Sequence, residues 1–100
     1  NVREGYGVAT WPDGNVFRGY WADDKMQRGV KTTLTATYEG EFKDSQRNGY
    51  GSEQDKAMAY RGQWQADMRE GLGISHENGV DYVGNWKSDK RDGLGRMTWS

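Results

Sequence analysis

Four Gly-x-Gly triplets begin at Gly5, Gly49, Gly71 and Gly93, and closely set glycines are one way for a backbone to approach a phosphate. None continues to a third glycine or into a helical pattern, so a dinucleotide loop is discarded. His76 lies just ahead of the Asn78-Gly79 turn signal. With no cysteine and a single histidine in the chain, it cannot complete an ordinary zinc site and reads as a surface turn residue. The acidic pairs Asp23-Asp24 and Asp89-Asp92 could hold a cation, but they fall in turn-prone segments, where a solvated aspartate is the ordinary finding. Without a deep, dry pocket nothing shifts a carboxylate towards general acid work. No metal, no cofactor and no catalytic residue is expected.

Two other sets of residues recur at fixed spacing and could bind rather than catalyse. Arg3, Arg47, Arg69 and Arg91 each stand two residues before a glycine, which would align them along one edge of a sheet. A basic residue near an anionic membrane contributes ~1 kcal/mol, so lipid headgroups are one candidate partner. Each arginine also has an acid or amide beside it (Glu4, Asn48, Glu70, Asp92), which favours a surface pair over a lipid site. The second set is aromatic: Trp21, Tyr38, Phe42, Tyr60, Trp64, Tyr82 and Trp86, preceded by Phe17. Stacking on neighbouring repeats is the first expectation for these rings; receiving an apolar helix or an extended peptide is the second.

The elements that must position both sets follow from an internal repeat. The skeleton is aromatic-x-Gly-x-aromatic, six residues, then Gly-x-Gly: YEGEFKDSQRNGYG from Tyr38, YRGQWQADMREGLG from Tyr60 and YVGNWKSDKRDGLG from Tyr82. A weaker copy, FRGYWADDKMQRGVK, starts at Phe17, with one extra residue before Gly29 and Lys31 where a second glycine is expected. The divisions are a partial repeat 1–16, a degenerate repeat 17–37, and repeats 38–59, 60–81 and 82–100. No capping unit stands at either end, so the expectation is an interior piece of a longer array. Each copy reads as a β-hairpin, its first half alternating aromatic and polar residues before a polar turn segment.

A four-residue loop between Lys43 and Asn48 would put Phe42 opposite Gly49 and Gly40 opposite Gly51, so that rings lie across vacant glycine sites. Gly40, Gly49, Gly51, Gly62, Gly71, Gly73, Gly84, Gly93 and Gly95 are on this reading structural, and Gly62, Gly71 and Gly73 together clear space for Tyr60 and Trp64. The opposite face is expected to carry a second apolar row of Tyr6, Val30, Tyr50, Leu72 and Leu94. TTLTAT, residues 32–37, lacks a glycine turn and is expected to be an irregular joint, a bend or a contact site.

The totals agree with a thin architecture. Of 100 residues only 33% are hydrophobic, 15 are glycine and 13 are aromatic, so the rings must supply much of the burial. Mean hydropathy is −1.13, and no apolar run approaches the ~18 residues of a membrane span. A net charge of −1, from 14 basic and 15 acidic residues, offers no polycation to grip nucleic acid.

YxGxW, six residues, GxG and a following DG or NG turn resemble the MORN (membrane occupation and recognition nexus) repeat over nearly the whole chain, Phe42 being the one skeleton position changed in the three full copies. The resemblance implies an all-β array of consecutive hairpins forming one elongated, twisted, curved antiparallel sheet. It also implies a non-catalytic scaffold that binds a partner peptide or helix along the sheet trough, in the cytoplasm, within a cytoskeletal or membrane-linked assembly. The alternatives are an anionic phospholipid-binding module, and a choline- or glucan-binding repeat of bacterial surface proteins. Repeats of the latter kind favour Gly-Trp and paired aromatic dipeptides over the Gly-x-Gly seen here.

Overall fold

The computed structural model describes residues 3–99, and among them every repeat half becomes a strand. The strands are β1 Gly5–Thr10, β2 Val16–Ala22, β3 Lys25–Thr32, β4 Ala36–Lys43, β5 Gln46–Asp55, β6 Met58–Gln65, β7 Met68–Glu77, β8 Val80–Lys87 and β9 Lys90–Trp99. They pair in sequence order, all antiparallel, as a single nine-stranded sheet of 49 × 23 × 17 Å.

One glycine from each strand falls on a line that crosses the whole sheet: Gly7, Gly19, Gly29, Gly40, Gly51, Gly62, Gly73, Gly84 and Gly95, each paired with the next. Their missing side chains are occupied space. A Cβ on Gly51 would meet the Tyr38 ring, one on Gly73 the Tyr60 ring and one on Gly95 the Tyr82 ring. Each tyrosine thus lies over the glycine diagonally across the hairpin and shields its backbone.

The hairpin turns differ from the expected loop. Lys43 pairs with Gln46 and Phe42 with Arg47, leaving only Asp44 and Ser45 between the strands. Both have positive φ (51° and 63°), as do Asp23-Asp24, Ala66-Asp67 and Ser88-Asp89, the signature of a type I′ turn. Gly40 does oppose Gly51, but Phe42 does not oppose Gly49. Between the two matched pairs, Glu41 alone faces Asn48, Gly49 and Tyr50, a three-against-one bulge repeated at Gln63 and Asn85.

Bulge residues lose ladder partners, and the tyrosines supply one. Their hydroxyls donate to the carbonyls of Glu41 from Tyr38 (2.8 Å), Gln63 from Tyr60 (2.9 Å) and Asn85 from Tyr82 (3.0 Å). Where Phe17 has no hydroxyl the bulge is narrower: Tyr20 stays paired with Arg28 and only Gln27 is extra. This register corrects the alignment of the degenerate copy. Gly29 pairs with Gly40 and is the second glycine of the motif; the first is missing, and the copy is one residue short there rather than long. Arg28, not Val30, therefore occupies the place of Tyr50, Leu72 and Leu94. The joint at residues 32–37 is also regular, since β3 pairs with β4 up to Thr32 and Thr37 and the Thr33 N–H donates to the Ala36 carbonyl (2.8 Å).

Candidate functional site

On one face the rings form a continuous zigzag. Trp21, Phe17, Phe42, Tyr38, Trp64, Tyr60, Trp86 and Tyr82 follow one another with centroids 5.1–5.5 Å apart and planes 78–90° to each other. Edge-to-face packing puts the positive rim of one ring on the negative face of the next. All eight are at most 6% exposed, so the rings stack on one another, the first of the two expectations for them. The indole N–H groups of Trp64 and Trp21 donate to the carbonyls of Gly51 (3.1 Å) and Gly7 (3.4 Å), whereas Trp86 Nε1 is buried without a partner among the described residues. Burial raises the Tyr38 phenol well above its ordinary value and pushes that of Tyr60 up to about 12.

The arginines roof this row. Arg47 lies 4.4 Å from the Trp64 ring centroid, Arg69 4.5 Å from that of Trp86, and Arg3 4.7 Å from that of Trp21, each one repeat further on. Their partners are not the neighbouring residues named above but the second turn residue of the next hairpin. Arg47 Nε donates to Asp67 Oδ1 (3.0 Å) and Arg69 Nε to Asp89 Oδ1 (3.0 Å), while Arg3 Nη1 lies 3.8 Å from Asp24 Oδ1. The same carboxylates accept the backbone N–H of the arginine, and the aspartate N–H donates to the arginine carbonyl. Each turn is thereby clamped to the preceding repeat, which offsets the cost of left-handed residues such as Ala66.

The clamps are visible in ionisation as well. Burial alone would lower Arg47, but the bonds to Asp67 and the charge of Glu53 outweigh it and raise its pKa. Burial alone would raise Asp89, but the bonds from Arg69 hold it below the usual carboxylate range. Arg91 stacks on Tyr82 and points towards Met97. Apart from it, the arginine row is engaged within the protein rather than presented as free charge. Sequence reasoning missed Asp67 and considered Asp24 and Asp89 for a different role, although the signal of the clamp was present. Asp24, Asp67 and Asp89 follow Arg3, Arg47 and Arg69 by a near-constant spacing. The one joint that lacks the acid (Ser45) also lacks the arginine, its place held by Met26.

Gly49 and Gly71 have a job other than clearing rings. Both are left-handed (φ 88° and 79°), and a Cβ on Gly71 would strike the Gln63 amide oxygen, which accepts the Leu72 N–H at 2.8 Å. Gly62 and Gly73 make room for Tyr60, as expected, but Gly71 does not. Gly84 lies on the glycine line, and Gly93 is left-handed like Gly71.

The other face is open. Tyr6, Tyr20, Tyr50, Leu72 and Leu94 are 47–89% exposed, on one side of the glycine line, with exposed Val8, Ile74 and Val83 on the other. At its N-terminal half the two rows flank a groove of about 560 Å³ floored by Gly19, Gly29 and Gly40 and walled by Tyr6, Tyr20 and Tyr50 together with Arg18, Arg28, Glu39 and Glu41. Among the described residues no group of three His, Asp or Glu side chains is placed to hold a metal ion. Asp24 and Asp89, considered above as cation ligands, are instead the turn clamps.

The family model for the MORN repeat matches residues 1–16, 38–56, 60–76 and 82–100. The chain belongs to the MORN repeat family. That match decides between the two hairpin-repeat families weighed from sequence, and it skips residues 17–37, the copy with the narrow bulge. No curated protein matches the chain significantly. MORN repeats are generally interaction modules, for proteins or for membranes.

Proposed function

We propose that this chain is a non-catalytic scaffold that binds a protein partner through the open face of its sheet, an apolar helix or extended segment lying along the glycine line. The observation that carries the reading is the uncovered row Tyr6, Tyr20, Tyr50, Leu72 and Leu94. A one-layer sheet has two faces, and the rings of this chain cover only one. The row is interrupted by Arg28, Glu41, Gln63 and Asn85, so it offers apolar anchors set among polar groups, and exposed apolar side chains aligned in this way favour an interaction site. The sequence-based expectation put the partner on the ring face; the exposure pattern supports the opposite one.

The membrane alternative draws on the arginine row, and the engagement of Arg3, Arg47 and Arg69 with aspartates weakens it. The test uses the full-length protein with Tyr50→Asp and Leu72→Asp together. The expected outcome is an unchanged melting temperature and loss of the proteins that wild type captures reproducibly. Capture that survives both substitutions refutes the reading. Pelleting with phosphatidylserine vesicles that falls with salt would move the assignment to the membrane instead.

A further inference from the structure

The ring face has one gap. At the joint between the degenerate copy and the next repeat a cavity of about 280 Å³ opens over Tyr38 and Phe42, lined also by Lys31, Ser45, Arg47, Glu53 and Asp67. The sheet register shows why, because neighbouring repeats present the same positions. Ala36 lies opposite Asp55 as Met58 lies opposite Glu77 and Val80 opposite Trp99. In the next repeat the Met58 side chain packs against the ring cluster, and its sulfur accepts a hydrogen bond from Arg69 Nη1 (3.0 Å). Ala36 is too short to do the same, so the slot that Met58 fills there is empty here.

Charge changes at the same joint. Lys31 opposes Tyr38 as Glu53 opposes Tyr60, so a cation stands where the next repeat has an acid. Ser45 stands where Asp24, Asp67 and Asp89 stand, and Met26 where the arginine belongs. The Arg47 charge is answered by Glu53 and Asp67. Lys31 has no ion pair among the described residues; its ammonium lies 5.8 Å from the Trp11 ring centroid. The joint therefore lacks an unbranched side chain and a negative charge together.

We propose that this cavity is a second interaction site, which receives a glutamate side chain from an acidic segment of a partner protein. Glutamate has the unbranched stem of methionine and carries a carboxylate at the depth of the methionine sulfur, within reach of Lys31 and the Ser45 hydroxyl. The stem would cover the Tyr38 and Phe42 rings as Met58 covers its own, and the carboxylate would answer the one unpaired cation of the mouth. The site is on the face opposite the open apolar row and is independent of the reading given above.

A phage-displayed library of random twelve-residue peptides, panned on the wild-type chain, provides the probe, and fluorescence polarisation of the best peptide provides the affinity. A glutamate fixed at one position is expected, with about tenfold weaker binding by both Ala36→Met and Lys31→Glu, and near wild-type binding by Lys31→Arg. Ala36→Met fills the slot from within and should leave the melting temperature at or above that of wild type. Lys31→Glu, at the cavity mouth, keeps the test meaningful if the methionine does not fit. Peptides without a fixed acid, wild-type affinity for both Ala36→Met and Lys31→Glu, or loss of binding through Tyr50→Asp and Leu72→Asp instead would each overturn the proposal.

Discussion

Replacing Trp64 by alanine removes the middle of the ring row. The indole is 5% exposed, packs edge-to-face between Tyr38 (5.5 Å) and Tyr60 (5.1 Å), bonds the Gly51 carbonyl and carries Arg47 on its face. Truncating a buried aromatic costs about 3–5 kcal/mol, a large part of the ~5–15 kcal/mol that stabilises a small domain. At roughly 4 °C or more per kcal/mol, the melting temperature should fall by at least about 12 °C. Strand contacts in this sheet run almost entirely between neighbours and the rings reach one strand further, so the loss should also uncouple the two ends of the array. Urea melts followed by far-ultraviolet circular dichroism should show a second transition or a reduced m-value. Trp64→Phe keeps the stacking, as Phe42 does in its own repeat, and gives up only the indole bond and some area. Its cost should stay near 1–2 kcal/mol. A loss below ~1 kcal/mol for Trp64→Ala, with a single sharp transition, would refute the claim that the rings are the core.

Two further perturbations separate architecture from surface. Gly71→Val forces a β-branched residue to φ 79° against the Gln63 amide and should cost ~2–3 kcal/mol, while Leu72→Ala next to it should stay within ~0.5 kcal/mol in the same melts. Alkali should unfold the protein cooperatively: the Tyr60 phenol is raised from 10.0 to about 12, so its contribution is complete below pH 10 and is lost as pH rises towards 12. A single step near pH 10 in the absorbance at 295 nm whose amplitude accounts for all six tyrosines, with the fold intact, would contradict the burial of that hydroxyl.

The hairpins, their order and the Gly40–Gly51 pairing were legible because glycine and aromatic residues recur with strand periodicity. The turns were not. Asp44-Ser45 and Ala66-Asp67 lack the glycine that usually marks a type I′ turn, and what clamps Ala66-Asp67 is Arg47 of the previous repeat, a contact no local pattern displays. Which face is covered was hidden for a related reason. Alternation tells which residues share a face, but both faces here are apolar, and only packing shows that the rings exclude Tyr50 and Leu72 from cover. The empty slot at Ala36 needed the register, since in sequence Ala36 is simply a small residue before a strand.

The glycine line has a consequence for how such a chain can grow. Because each strand contributes one glycine to the same line, that line acts as the phase mark of the array, and a repeat joins correctly if its glycine meets the one before it. The stretch between turn and glycine is free to vary: two residues in β3 stand where three stand in β5, and the strands on either side remain in step. Insertions and deletions confined to that stretch cause no frame error in the sheet, so tandem duplication can lengthen the module with unequal copies and still yield one continuous surface.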